Sequence, residues 1–113
     1  MKLMITALMT LFTLNAFAGE MTLSCQGFYN YELILENEVK IGEFQKNIEL
    51  GEIGEYKILV SSLGQNKIEL LGYNFTEPSR TYTTALMNKS GDIIELAVWK
   101  REFLLEVKCT SKI

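Results

Sequence analysis

Two cysteines, Cys25 and Cys109, are the most reactive side chains in this sequence, and 83 residues separate them. Two cysteines in an exported domain predict a disulfide, because oxidising compartments keep thiols paired. The alternative is a lipid on Cys25, but this would leave Cys109 unpaired, and Thr22-Leu23-Ser24 resembles a lipoprotein signal poorly. We therefore predict that a Cys25–Cys109 disulfide joins the first and last strands.

The other chemistry that the sequence could support is limited, since it contains no histidine and a single aspartate. Histidine-dependent nucleophilic systems and most zinc sites are excluded, and no calcium or phosphate loop motif is present. The strand register predicted from the turns places Glu95 across from Glu106, a spacing that retaining glycosidases use. Because Lys108 lies diagonal to Glu95 and no cleft is predicted, we expect no enzymatic activity, no metal and no cofactor.

Aromatic and basic residues in two late segments are candidates for binding a partner. The loop 74–79 and the turn at Lys100-Arg101 share one end of the predicted meander, and aromatic side chains and arginine dominate binding hot spots. The alternative is that Trp99 plugs the end of the barrel and that the basic groups are only solvated. The predicted rim consists of Phe75, Arg80, Trp99, Lys100 and Arg101.

A second candidate surface is apolar and is predicted on the outer side of the later strands. Its members are Leu59, Leu71, Tyr73, Met87, Ile93 and Leu104. Continuous apolar stripes on a surface usually mark an interaction site. Either a partner or a second subunit covers this face, or the fold is a sandwich in which the face is internal.

The elements that position these residues are strands, because a period of two dominates the sequence after Gly19 and predicts an all-β fold. Eight short antiparallel strands favour a small meander barrel. If instead one strand bent at Gly27 spans 21–36, seven strands would form a partly open barrel or a sandwich. The strands are predicted near 21–26, 28–36, 39–50, 56–62, 67–73, 80–88, 92–99 and 102–110.

Two turns fix the predicted register of the last three strands. A three-residue loop within 88–92, with Gly91 in the left-handed conformation, pairs Thr84 with Leu96. A two-residue turn at Lys100-Arg101 pairs Leu96 with Leu105. Both turns give one common apolar face, which we expect to point inward. The bulky residues expected inside are Tyr31, Leu33, Phe44, Tyr82, Phe103 and Leu105.

The first eighteen residues predict a signal peptide, with Lys2, an apolar run from Leu3 to Leu14, and Ala16-Phe17-Ala18 before the cleavage point. The run is too short to span a membrane, so we expect one exported domain over 19–113. The compact leader is typical of bacteria and favours a periplasmic or secreted location. Removing Lys2 changes the formal net charge from −3 to −4, which does not suit nucleic acid.

Together these features predict an exported, non-enzymatic binding module that recognises a protein partner and could act as an inhibitor. Its general plan resembles that of small disulfide-bonded periplasmic barrels that inhibit lysozymes. The resemblance covers architecture alone and implies no role for any residue. Two alternatives stay open: a homodimer or other structural subunit of an envelope complex, and a carrier of a small ligand.

Overall fold

The alternating sequence folds into eight antiparallel strands in the computed structural model, which describes residues 20–112. No helix occurs in this range. The predicted signal peptide over 1–18 lies outside the described residues. The strands are β1 (Glu20–Tyr29), β2 (Glu32–Gly42), β3 (Ile48–Ile53), β4 (Tyr56–Ser62), β5 (Lys67–Asn74), β6 (Ser79–Leu86), β7 (Ile93–Trp99) and β8 (Leu104–Lys112).

The strands form two four-stranded sheets that share one core. Sheet A has the order β2-β1-β8-β7, and sheet B has the order β3-β4-β5-β6. The predicted all-β fold with eight strands is confirmed. Between residues 20 and 112, no backbone ladder joins β2 to β3 or β6 to β7, so the arrangement corresponds to the sandwich alternative with eight strands.

The disulfide is confirmed and lies in the centre of sheet A. Cys25 of β1 and Cys109 of β8 are direct cross-strand partners, and both are fully buried. They belong to the inward-facing residues of their strands, as the sequence predicts. The surrounding core is built from Leu23, Ile41, Ile53, Ile58, Val60, Ile68, Leu70, Ile94, Leu96, Leu105 and Val107.

Two glycines allow β3 to pass close to sheet A. A Cβ atom on Gly27 of β1 would meet the side chain of Ile53, and one on Gly51 of β3 would meet the side chain of Leu35. Gly51 also has a φ of 145°, which disfavours any other residue. The absence of side chains at these two positions lets Ile53 and Leu35 fill the space where the sheets meet.

The first hairpin differs from both predictions for 21–36. β1 continues through Gly27 to Tyr29, and Asn30 and Tyr31 form a two-residue turn with φ values of 49° and 70°. Positive φ at both positions is typical of a type I′ turn, whose twist matches that of paired strands. Tyr31 is therefore exposed at the tip of a hairpin, and its predicted interior position is wrong.

Other side chains predicted to be internal are also exposed. Gly27 pairs with Leu35 and Phe28 pairs with Leu33, so a β-bulge in β2 lies between these two pairs. The bulge turns Leu33 to the outer face, where it is exposed. Phe44 lies in the loop after β2 and is exposed. In β6 the inward residues are Thr81, Thr83 and Ala85, so Tyr82 is exposed. By contrast, Leu105 is fully buried and Phe103 packs against the core, as predicted.

The loop between β6 and β7 explains why their predicted pairing is wrong. Gly91 has a φ of 94°, as expected, but its N–H donates to the carbonyl of Ser111. The carboxylate of Asp92 accepts hydrogen bonds from the N–H groups of Asn88 and Lys89. The Asp92 bonds close the loop on itself, and the Gly91 bond ties it to β8, so the chain crosses from sheet B to sheet A without closing a hairpin.

The register of β7 and β8 is two residues away from the predicted one. Leu96 pairs with Val107, because the connection extends over 100–103, where Lys100 and Phe103 exchange backbone hydrogen bonds of 2.9 and 3.3 Å. A shift of two preserves the inward face. It changes the outer pairs, however: Glu95 lies across from Lys108. The predicted pairing of Glu95 with Glu106 is wrong.

Candidate functional site

Four of the connections between consecutive strands lie at one end of the sandwich. They are the turns at 30–31 and 54–55 and the loops 75–78 and 100–103. Because the strands alternate in direction, every second connection reaches this end. The end therefore gathers residues from both sheets.

The most exposed aromatic side chains of the described chain meet at this end, on the outer side of sheet A. Trp99 has 86 % of its surface exposed, and Tyr31 has 80 %. Both line a groove of about 300 Å³, which we call the Trp99 groove. Its lining residues are Asn30, Tyr31, Trp99, Lys100, Arg101, Glu102, Phe103 and Leu104.

Hydrogen bonds join the turn that carries Tyr31 to the strand beside Trp99. Trp99 is the cross-strand partner of Leu104. The N–H of Leu104 donates to Oδ1 of Asn30 over 2.9 Å, and the N–H of Asn30 donates to the carbonyl of Leu104 over 2.8 Å. Since Tyr31 follows Asn30 directly, the two exposed rings are carried by elements that are bonded to each other.

Packed aromatic rings support the groove from beneath. The ring of Phe103 stacks on Tyr29, with centroids 5.4 Å apart, and meets the edge of Tyr56 at 6.0 Å. Tyr56 belongs to β4 and is buried. The Phe103 side chain thus anchors the loop 100–103 to both sheets.

The groove carries positive charge from Lys100 and Arg101. The nearby Tyr56 hydroxyl raises the pKa of Lys100 above its ordinary value, and the carboxylates of Glu77 and Glu55 add to the effect. The Lys100 ammonium lies 5.9 Å from the centroid of the Tyr56 ring. Lys100 is therefore protonated at neutral pH. Glu102 contributes one carboxylate to the same groove.

The structure divides the rim predicted from the sequence. Trp99, Lys100 and Arg101 lie together in the Trp99 groove. Phe75 lies at the same end, but on the sheet B loop, where its N–H donates to the carbonyl of Glu55. Arg80 lies on the outer face of sheet B and lines a different groove. Tyr31 was absent from the predicted rim, although an asparagine before it is a common signal for a left-handed turn.

The predicted apolar surface also separates into parts. Leu59, Leu71 and Tyr73 lie on the outer face of sheet B, in a groove of about 380 Å³. Ile93 and Leu104 lie on the outer face of sheet A. Met87 is completely buried (0 % exposed), so its predicted outer position is wrong. The inward-facing residues of β6 are shifted by a single position from the prediction. Met87 therefore continues the inward series of Thr83 and Ala85.

No group of three or more acidic, histidine or cysteine side chains within 20–112 is arranged to hold a metal ion. In the same part of the chain, no helix has the length and apolar character needed to cross a membrane. The arrangement at the Trp99 groove is suited to binding, since it combines exposed aromatic rings with cations.

Comparison with known proteins gives no relative from which a role could be transferred. The chain matches no protein-family model, no curated protein and no solved structure.

Proposed function

We propose that this protein is an exported, non-enzymatic binding module that recognises a protein partner through the Trp99 groove. The observation that carries the proposal is the placement of Trp99 and Tyr31, both more than three-quarters exposed, on one groove. The contacting side chains are Tyr31, Trp99, Lys100 and Arg101.

The free energy for such binding would come from the two rings. Aromatic side chains bury about 150–250 Å² each and dominate interface energetics. The bonds between Asn30 and Leu104 hold the backbone segments that carry the rings in place before a partner arrives. Preorganisation of this kind raises affinity, because less conformational entropy is lost on binding.

The charge of the groove indicates which partner surface would fit. Lys100 and Arg101 outnumber the single carboxylate of Glu102. Tyrosine, tryptophan and arginine are the residue types most enriched at hot spots. We therefore expect the partner to present an apolar pocket that is bordered by acidic side chains.

Export is part of the proposal and rests on two observations. The leader pattern in 1–18 predicts a signal peptide, and the Cys25–Cys109 disulfide is typical of proteins from oxidising compartments. A periplasmic or secreted location would satisfy both.

Alanine variants of the two rings test the proposal. We expect Trp99→Ala and Tyr31→Ala each to reduce partner binding at least tenfold, since truncation of hot-spot residues costs about 2 kcal/mol or more. The partner is identified by chemical cross-linking and capture from the exported fraction, and its affinity is then measured by calorimetry. Both side chains are exposed, so the melting temperature should not fall.

Phe44→Ala is the matched control. Phe44 is also exposed (64 %) and also has a positive φ, but it lies in the loop at the opposite end of the sandwich. Its truncation should leave partner binding unchanged. Equal affinity of the Trp99→Ala variant and the unaltered protein would show that the groove is not the binding site.

A further inference from the structure

The outer face of sheet B carries an ordered distribution of charge that the proposed function does not use. In one cross-strand row, Glu52 pairs with Lys57, Lys57 with Tyr73, and Tyr73 with Arg80. The row therefore begins with a carboxylate at the β3 edge and ends with a guanidinium at the β6 edge.

The next row also begins with a carboxylate at the β3 edge, but its centre is apolar and it ends with a tyrosine. Leu59 pairs with Glu49 on one side and with Leu71 on the other, and Leu71 pairs with Tyr82. Glu49 is at the β3 edge, where it forms an ion pair of 3.4 Å with Lys57. Tyr82 is exposed at the β6 edge. We call the residues of these two rows the sheet B face.

We infer that a second copy of this chain docks on the sheet B face and forms a two-fold symmetric dimer. A two-fold axis parallel to the strands would lay β3 of one copy over β6 of the other, and β4 over β5. Glu52 would then face Arg80 of the second copy, and Leu59 would face Leu71. Each contact would occur twice, as symmetry requires.

The alternative symmetric arrangement is unfavourable. An axis across the strands would lay β3 over β3 and β6 over β6. With this axis on the Glu52–Arg80 row, carboxylate would face carboxylate at the β3 edge and guanidinium would face guanidinium at the β6 edge. With the axis between the two rows, Glu52 would face Glu49 of the second copy. Charge complementarity thus selects the parallel axis, and with it one set of contacts.

The face is small, which sets the expected strength of the dimer. Four strands about 4.8 Å apart and about 20 Å long offer about 400 Å² of planar area. Two such faces bury about 800 Å² in total, which is below the range of stable complexes and within that of weak, transient ones. We therefore expect a dimer that dissociates on dilution.

Charge reversal provides the test, and it does not depend on whether the Trp99 groove binds a partner. In the Glu52→Arg variant, the new arginine would face Arg80 of the second copy. In the Arg80→Glu variant, the new glutamate would face Glu52 of the second copy. Each variant alone should dimerise at least tenfold more weakly than the unaltered protein, as measured by analytical ultracentrifugation. An equimolar mixture should form a heterodimer, because both pairs become attractive again.

Native mass spectrometry identifies the heterodimer, since the two variants differ in mass. Glu43→Arg is the control, because Glu43 is exposed outside the sheet B face and its reversal should leave dimerisation unchanged. If a variant does not fold, as judged by its circular dichroism spectrum, Arg80→Gln replaces it and should weaken the dimer without repulsion. A monomer at all concentrations, undiminished dimerisation of either reversal variant, or a mixture without heterodimer would overturn the inference.

Discussion

Tyr31 has a backbone conformation that tyrosine disfavours. Its φ of 70° lies in the left-handed region, and glycine is the preferred residue at this position of a type I′ turn. The left-handed conformation costs about 1–2 kcal/mol for residues with a Cβ atom. The ring is exposed, so burial in the free protein does not offset this cost. A role in contacting a partner would account for a tyrosine here.

Tyr31→Gly is predicted to increase stability and to weaken partner binding. We expect the free energy of unfolding to rise by about 1 kcal/mol, because the backbone strain is relieved. Urea denaturation measures this change. Tyr31→Ala is the control: it removes the ring but keeps a Cβ atom, so it should weaken binding without the gain in stability. A Tyr31→Gly variant that is less stable than the unaltered protein would contradict the strain argument.

Individual site residues were predictable to different degrees. Trp99, Lys100 and Arg101 are consecutive, so any strand ending near Trp99 keeps them together. Tyr31 was missed because Tyr29 and Tyr31 share one phase, which suggested a strand that continues through them. The positive φ values of Asn30 and Tyr31 interrupt that strand. Such a turn is hard to recognise when a tyrosine occupies the usual glycine position.

At the scale of elements, the contact between β2 and β3 depends on Gly51. The side chain of Leu35 occupies the position where a Cβ atom of residue 51 would lie. Gly51→Ala should therefore lower the free energy of unfolding by about 1–3 kcal/mol, through overpacking and an unfavourable φ. Guanidinium denaturation measures the loss.

The double variant Gly51→Ala with Leu35→Ala separates the two causes. Removing the Leu35 side chain makes room for the new Cβ atom, so the double variant should lose less stability than the sum of the single variants. Strict additivity would show that the two residues do not compete for the same space.

The disulfide acts between elements, since it joins β1 and β8 across a sequence separation of 84 residues. Closing a loop of this length stabilises a fold by about 4–5 kcal/mol in the chain-entropy model. Cys25→Ala with Cys109→Ala should lose about this amount in urea denaturation. The unaltered protein in reducing buffer serves as the comparison. A loss below about 1 kcal/mol would contradict the prediction.

Strand positions were predicted more reliably than strand pairings. The inward residues Ile94, Leu96 and Val98 were predicted correctly although the register of β7 and β8 was two residues away. Alternation determines which face is buried, and a shift of two does not alter it. The pairing itself depends on the loop 100–103, whose length the sequence pattern did not reveal.

At the scale of the whole molecule, sequence alternation did not decide between a barrel and a sandwich. A barrel and a sandwich of these strands would bury the same residues. They differ in whether β2 forms a ladder with β3 and whether β6 forms a ladder with β7. Gly51 leaves room for Leu35, and the carbonyl of Asp92 accepts a hydrogen bond from the N–H of Ser111, so both of these transitions depend on residues distant in sequence. This is why the strand number and the disulfide were predictable, while the division into two sheets was not.

The two candidate surfaces belong to opposite sheets, and this has a consequence for binding. A dimer formed through the sheet B face would leave both Trp99 grooves free. Two linked sites raise the effective concentration of the second site after the first has bound. A partner with repeated epitopes would therefore be held more tightly by the dimer than by the monomer.

The central claim, that the Trp99 groove binds a protein, is tested most directly by cross-linking in intact cells. A photo-crosslinking amino acid replaces Glu102, which lines the groove, while Trp99 and Tyr31 remain. A second protein carries the same amino acid in place of exposed Glu43. We expect illumination to give a defined adduct with another protein from position 102 alone. An adduct from position 43 but none from position 102 would contradict the account.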